Sequence, residues 1–549
     1  MRPLSISIPK FFLLSAILVA PGEAFAIPSD AKPAVIANTT NEPVQPGKFQ
    51  PTWESLQQYQ HAPEWFHNAK FGIWAHWGPQ CQPQDGDWYA RGMYDEGIDQ
   101  NKFHNAHYGS PSKFGFKDVI HEWHAENWNP EKLMALYKRA GAQYFFALAN
   151  HHDNFDNFDS QYQPWNSVAV GPKKDLIGGW AKAARENGMR FGVSVHASHA
   201  WTWYELSQNF DGNLTKADGK GLWWDGLDPQ DLYAQNHPRS KNNFHIWDMI
   251  SLWDWANGAT PPSQAYCDKF YNRTVDLINK YHPDLIYFDD TALPLWPASD
   301  AGLKIAAHYY NSSMKWHSGK NEAVIFGKIL TPDQRECVVW DCERGVSNQI
   351  EEQPWQTDTC LGDWHYKLSI FEKHQYKSTK TVIQMLADVV SKNGNLLLNV
   401  PLRGDGTPDA DEIAVVEGLA KWMDVNKESI FGTRPWKKCG EGPALDAAAP
   451  IQAQGFNEGK GKPFTAQDFR FTTKGNVLYA IELGWPTNGV SLTSLGKSAR
   501  LLDGSVKKIQ LLGSKEKIQW QQTGDALVIS QPKNQPNNFV VVFKIILKK

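Results

Sequence analysis

Between residues 71 and 400 the chain repeats one pattern: a short run of β-branched and aromatic residues, a polar connection, and a stretch with apolar residues at helical spacing. Eight such runs can be read: Phe71–Trp77, Tyr144–Asn150, Arg190–His196, Asp284–Asp290, Ala323–Ile329, Cys337–Cys342, Trp355–Cys360 and Asn395–Val400. Helical periodicity is clearest at Pro130–Arg139, Leu176–Asn187, Cys267–Tyr281 and Thr381–Lys392, for instance through Leu133, Leu136 and Tyr137. Strands alternating with amphipathic helices build a parallel sheet whose faces are both covered. Eight strands close such a sheet on itself. The expected fold is α/β, a (β/α)8-like barrel over residues 51–430.

At 549 residues the chain exceeds what one core usually supports, and its texture changes after Phe431-Gly432-Thr433-Arg434-Pro435-Trp436. Short runs such as Phe469–Thr472 and Val477–Ile481, parted by the turn Lys474-Gly475-Asn476, and a last run Asn538–Ile546 predict a C-terminal antiparallel β-sandwich over 431–549. At the other end, Arg2 and Lys10 precede the apolar run Phe11–Ala20, and Ala24-Phe25-Ala26 has the small-x-small form of a signal-peptide cleavage site. Residues 1–26 are expected to be removed on export, and 27–50, rich in Pro, Ala, Asn and Thr, to form a tether. The mature protein is expected to be secreted or periplasmic. No later stretch reaches the ~20 apolar residues of a membrane helix.

A formal net charge of −4 without a long basic run excludes the electrostatic footprint of a nucleic-acid binder. Six cysteines (Cys81, Cys267, Cys337, Cys342, Cys360, Cys439) permit disulfides in an exported chain. Cys337 and Cys342 resemble half a zinc site, but no motif supplies the other ligands. Neither a metal nor another cofactor is expected, and no motif specifies an oligomeric state. The 25 tryptophans suit a large aromatic core and offer flat faces that stack on sugar rings.

In a (β/α) barrel the chemistry sits where the strands end. The first strand runs into His76-Trp77-Gly78, the second into His151-His152-Asp153, the third into His196, the fourth into Asp289-Asp290, and the sixth into Asp341 and Glu343. A lone buried histidine is ordinarily a satisfied core residue, but several polar groups on one rim point to a reaction. Two carboxylates among neutral donors suit glycosidic cleavage: one attacks or stabilises the oxocarbenium-like carbon, and the other protonates the leaving oxygen. Asp289 and Asp290 cannot be that pair, because neighbouring strand residues point to opposite faces. Two other readings use the same residues. A metal-dependent barrel hydrolase would take His151, His152, Asp153, His196 and Asp289 as ligands, but the first strand supplies only His76 where such sites carry a His-x-His pair. A carbohydrate-binding protein without catalysis would leave both carboxylates idle.

Six segments carry a likeness: Trp65-Phe66-His67-Asn68-Ala69-Lys70-Phe71-Gly72 leading to His76-Trp77-Gly78; Asp87-Trp88-Tyr89; Ala142-Gln143-Tyr144 leading to His151-His152-Asp153; Pro283-Asp284-Leu285-Ile286-Tyr287-Phe288-Asp289; Ser391-Lys392-Asn393-Gly394-Asn395-Leu396-Leu397-Leu398-Asn399; and Gly432-Thr433-Arg434-Pro435-Trp436. In kind and order they resemble the α-L-fucosidases of glycoside hydrolase family 29 over nearly all of the mature chain. The resemblance implies an exo-acting retaining α-L-fucosidase. Its substrate would be a fucosylated oligosaccharide or polysaccharide, its nucleophile Asp289, and His76, Trp88, His151 and His152 would lie against fucose. Asp87 stands where family members usually carry Glu, and His196 where many carry Tyr. Both, with Tyr287, are candidate sugar contacts.

Glu343, ahead of Pro354-Trp355-Gln356-Thr357, is the expected acid/base, with Glu351 and Glu352 as alternatives and a Glu343–Arg344 loop ion pair as the non-catalytic explanation. The methyl group of fucose calls for an aromatic wall, for which Phe288, Tyr287 and Trp77 are candidates. The long insertion from Trp201 to about Trp255, with Trp203, Trp223, Trp224, Trp247 and Trp253, is expected to shape the leaving-group side.

Overall fold

A computed structural model describes residues 26–548 apart from 249–254, 256–257, 447, 450 and 452–455; most of the expected signal peptide, residues 1–25, and Trp253 lie outside the described residues. All eight expected runs form strands: β1 Phe71–Ala75, β2 Tyr144–Asn150, β3 Arg190–Val195, β4 Leu285–Phe288, β5 Val324–Gly327, β6 Val339–Glu343, β7 Trp355–Cys360 and β8 Gly394–Asn399. They pair in parallel in chain order, and β1 closes onto β8 with Ile73 opposite Leu398. Every strand residue except Arg190 and Glu343 is buried, which is why most of the runs read as predominantly apolar rather than alternating; β7, with Gln356, Thr357, Asp358 and Thr359, is the polar exception.

Helices α1 Pro130–Arg139, α2 Leu176–Glu186, α3 Gln264–Tyr281, α4 Ala301–Trp316, α5 Thr379–Ser391 and α6 Ala410–Asn426 surround the barrel. Side-chain caps set several starts. Asn129 accepts from the Lys132 amide (2.9 Å), Asp175 from Gly178 (2.9 Å) and Ser378 from Thr381 (3.1 Å), and Asp409 with Glu412 forms a capping box. Each satisfies a backbone N–H that the helix itself leaves free. After β5 the described connection holds only the single turn Gln334–Glu336, and after β6 it is irregular, so the barrel is (β/α)8-like with two crossovers lacking helices.

Strand alternation sorts the side chains into two layers. Trp74, Tyr144, Phe146, Leu285, Tyr287, Phe326, Val339 and Leu397 fill the interior, while Ile73, Phe145, Val193, Ile286, Phe288 and Ile325 face the helices. Small residues make room for the interior rings: a Cβ on Gly72 would stand 2.2 Å from the Tyr144 ring, and one on Gly192 2.7 Å from Phe146. Two residues beyond an inward side chain lies another inward one. That step leads from Trp74 to His76, from Ser194 to His196, from Tyr287 to Asp289, from Phe326 to Lys328, and from Val339 through Asp341 to Glu343.

Beyond the barrel, a five-stranded antiparallel sheet runs in the order Ser505–Leu511, Val541–Lys548, Val477–Glu482, Phe469–Lys474, Arg434–Glu441. A three-stranded sheet of Val490–Leu492, Leu527–Ile529 and Trp520–Gln522 accompanies it. Trp436, Phe471, Leu478, Leu492, Leu527 and Phe543 share one core, as a sandwich requires. Tyr479, Ile481 and Val542 join the barrel's outer core instead, and Trp422 of α6 donates its indole N–H to the Val540 carbonyl at 2.8 Å.

The stretch 27–50 departs from the expected free tether. Val35 bridges Ser299, the Ala37 amide donates to Asp300 (2.8 Å), and the buried Phe49 is held at its amide and carbonyl by Asn311 of α4 (2.9 and 2.8 Å). A segment without an apolar period still docks when side chains on its neighbour satisfy its backbone. All six cysteines are free thiols. Among the described residues no helix is long and apolar enough to cross a membrane.

Candidate active site

The strand ends converge on one cation. Lys328, directly after β5, has its Nζ 2.5 Å from Asp289 Oδ1 and 2.5 Å from Glu343 Oε2. Two oxygens that share one nitrogen at this distance are at most about 5 Å apart, close to the ~5–5.5 Å separation of carboxyl groups in retaining glycosidases. The carboxylate side chains keep 22% and 18% of their surface exposed, whereas Lys328 keeps 5%, so the cation lies behind the two acids. Lys328 is absent from the residues singled out by sequence; its signal is a lysine closing the apolar run Val324-Ile325-Phe326-Gly327.

The environment pushes the two acids apart. Burial raises the Asp289 carboxyl, but the Lys328 charge and hydrogen bonds from His152 Nε2 (3.0 Å) and His196 Nδ1 (3.2 Å) outweigh it and hold Asp289 well below the usual range. For Glu343, burial and the negative charge of Asp289 prevail over the pull of Lys328, and its carboxyl is raised. Two further buried acids surround the same cation. Asp341, one inward step deeper on β6, is pushed up to about 7, and Asp358, the register partner of Glu343 on β7, is pushed well above the carboxylate range, both chiefly by burial. Asp290 turns the other way: it accepts from Ser198 Oγ (2.9 Å) and the Thr291 amide (2.7 Å) and meets His199 Nε2 (3.1 Å), tying together the loops after β3 and β4.

Beside the acids lies a cluster of imidazoles. The His76 ring is 5.1 Å from His151, 5.1 Å from His196 and 4.7 Å from His365. Burial holds His76 and His151 well below the ordinary histidine value and His196 at about 4, so these rings are neutral and each offers one donor and one acceptor. Gln80, whose oxygen accepts from the Ala90 amide, donates to His151 Nδ1 (2.7 Å), which leaves the His151 proton on Nε2. Both ring nitrogens of His76, and Nε2 of His196 and of His365, are buried without a protein partner. Such atoms are costly singly; clustered at a barrel mouth, they mark where polar ligand groups bind. His365, in the loop after β7, was not foreseen. Its Nδ1 is 2.5 Å from Asp87 Oδ1, which is how the short Asp87 side chain is joined to the cluster.

The ligand atoms of His76, Asp87, His151 and His365, and those of His151, His152 and His196, lie within 4.8 Å of one another, a donor set compatible with a divalent ion. Of the acids in the metal reading, Asp289 is engaged by Lys328, and Asp153 by Gln80 (3.1 Å) and the Phe155 amide (3.2 Å).

Trp88 adopts a left-handed backbone (φ 59°, ψ 18°), a conformation costing about 1–2 kcal/mol for a side chain of this kind. Its ring meets His152 edge-on at 6.1 Å. Tyr287 is 2% exposed and packs beneath Lys328, its ring 5.4 Å from Nζ and 4.9 Å from Trp74. Two proposed walls face elsewhere. Phe288 belongs to the outer core, and Trp77 packs on Trp123 and Trp180 with its N–H on the Arg403 carbonyl (2.8 Å), because alternation turns both away from the interior. The aromatic residue at the rim is the half-buried Trp364, 5.6 Å from His76, in a loop with no periodicity to betray it.

The alternatives to Glu343 sit at the opposite end of the barrel. The backbone carbonyls of Glu351 and Glu352 accept from Asn393, at the start of β8, and the Glu351 carboxylate takes Ser347 Oγ at 2.6 Å. Arg344 pairs with Glu458 (3.9 Å). Within the insertion, Trp203 and Trp224 are buried and Trp223 stacks on His121 at 4.1 Å, whereas Trp247 stands out into solvent.

The sequence profile Alpha-L-fucosidase matches residues 36–428, and the profile Alpha-L-fucosidase C-terminal domain matches residues 462–548. The tissue alpha-L-fucosidase of Mus musculus is 26% identical over 521 residues, covering 92% of this chain and 95% of its own length. That of Homo sapiens is 26% identical over 520 residues, covering 92% of each. Among solved structures, Thermotoga maritima alpha-fucosidase superposes with a TM-score of 0.65 at 25% identity, covering 91% of this chain and 100% of its own. Alpha-L-fucosidase isoenzyme 1 from Paenibacillus thiaminolyticus shares the fold with a TM-score of 0.59 at 21% identity, covering 90% and 100%.

Proposed function

This chain belongs to the α-L-fucosidase family and is a glycoside hydrolase that releases fucose, and we propose that it does so by exo-acting double displacement, with Asp289 as nucleophile and Glu343 as acid/base. The observation that carries the reading is the shared contact of both carboxylates with Lys328 Nζ, which brings them within about 5 Å of each other. Their opposed shifts support the division of labour, an ionised attacker beside a protonated donor.

In the first step Asp289 attacks the anomeric carbon of a terminal α-L-fucosyl unit. The bond to the leaving oxygen breaks, and that oxygen takes the proton of Glu343. In the second, the Glu343 carboxylate takes a proton from water, the resulting hydroxide displaces Asp289, and the α configuration is kept. His76, His151, His152, His196 and the Asp87–His365 pair supply hydroxyl contacts, with Trp88 and Trp364 as apolar walls over Tyr287. The substrate is a fucosylated oligosaccharide or polysaccharide. Action outside the cytoplasm is part of the same proposal, supported by the form of the Met1–Ala26 segment, and a mature N-terminus at Ile27 is its test.

For the nucleophile, Asp289→Gly is expected to lose nearly all activity on an aryl α-L-fucoside and to regain part of it with added azide, yielding the β-fucosyl azide. Near-normal activity in the variant overturns the assignment.

A further inference from the structure

Trp247 keeps 72% of its surface exposed, more than any other large hydrophobic side chain among the described residues. Its backbone is nonetheless pinned. The buried Arg91 donates to the carbonyls of Ile246 (3.2 Å) and His245 (2.8 Å), to Asn243 Oδ1 (2.6 Å) and to the Trp203 carbonyl. Asp95 accepts from the Ile246 amide (2.8 Å), and Asp248 from the amides of Phe244 and His245 (2.7 Å each). A turn fixed by buried charge thus holds an exposed indole in water.

The indole continues the site. It lies 5.8 Å from Trp88 at 20°, nearly parallel; Trp88 meets His152 edge-on at 6.1 Å, and His152 bonds Asp289 at 3.0 Å. An aromatic row therefore runs from the nucleophile to the solvent-exposed indole of Trp247. Building on the fucosidase reading above, we propose that Trp247 is the platform for the leaving-group sugar, a pyranose whose C–H face stacks on the exposed indole while fucose occupies the imidazole cluster.

The test compares Trp247→Ala, Trp247→Phe and the parent enzyme on α-L-fucosyl fluoride, which has no leaving-group sugar, and on a panel of fucosylated disaccharides. For Trp247→Ala, kcat/KM is expected to fall about tenfold on the disaccharides the parent cleaves, to stay within about twofold on the fluoride, and to leave inhibition by L-fucose unchanged. Trp247→Phe is expected to restore most of the loss. Equal losses on fluoride and disaccharide, or no loss on any disaccharide, overturn the proposal alone. A parent enzyme inert on the fluoride overturns the functional reading and this inference with it.

Discussion

Replacing Lys328 by Met keeps an unbranched side chain one atom shorter and removes the charge on which Asp289 and Glu343 meet. At an effective dielectric of about 20, unit charges about 4 Å apart attract by about 4 kcal/mol, and Nζ is 2.5 Å from an oxygen of each acid. One pH unit corresponds to about 1.4 kcal/mol, so a third of that attraction suffices to move a titration by about one unit. The sign is the same for both groups. Lys328 holds Asp289 down, so without it the carboxylate forms only at higher pH, and the acidic limb of kcat/KM moves up. Lys328 also pulls Glu343 down against burial, so without it the acid stays protonated to higher pH, and the basic limb moves up. The whole bell is expected to shift toward alkali by about one unit or more on an aryl α-L-fucoside. Lys328→Arg, which keeps the charge, should leave the limbs near their original positions. Removing one partner of a buried pair costs about 3–5 kcal/mol of stability, so a thermal melt must first establish that the variant is folded. An acidic limb that stays in place in folded Lys328→Met refutes the reasoning; a raised KM with fixed limbs would make Lys328 a substrate ligand alone.

For Glu343→Ala, a heavier loss is expected on fucosides with poor leaving groups than on activated aryl fucosides, because only the former need a proton at the leaving oxygen; equal losses would move the acid elsewhere. Glu482, in the C-terminal sheet, is buried with neither carboxyl oxygen hydrogen-bonded, and burial pushes it up to about 9 from 4.5. Between those values the folded state keeps a proton that the unfolded chain releases, so stability falls as pH rises through this window. Glu482→Gln should therefore stabilise the protein by up to about 5 kcal/mol at about pH 8 (roughly 3.5 units at about 1.4 kcal/mol each) and by little near pH 4, a difference read from thermal melts at the two pH values. An equal effect at both would show that Glu482 is ionised in the fold.

Much of the architecture was legible because burial and periodicity are local properties. A strand covered on both faces is mostly apolar and a helix on a barrel carries one apolar face, so most of the eight strands and the clearest helices are legible between Phe71 and Asn399, while β7 is polar from Gln356 to Thr359 although it is buried. Alternation also separates Asp289 from Asp290, and the ordered motifs resemble the fucosidase family. The chain in one dimension carries no measure of which strand ends meet. Lys328 bridges Asp289 and Glu343 because closing the barrel brings the ends of β4, β5 and β6 together, and no spacing of 289, 328 and 343 states that. The same closure sends Glu351 and Glu352 to the far end, and it brings His365 and Trp364 from an aperiodic loop to His76. The docking of 27–50 on α4 was likewise a tertiary decision, made by Asn311 and Asp300 satisfying a backbone that has no apolar pattern of its own. Sequence periodicity records which way a side chain faces. The distance between two side chains depends on how the sheet closes, and that is a property of all eight strands at once.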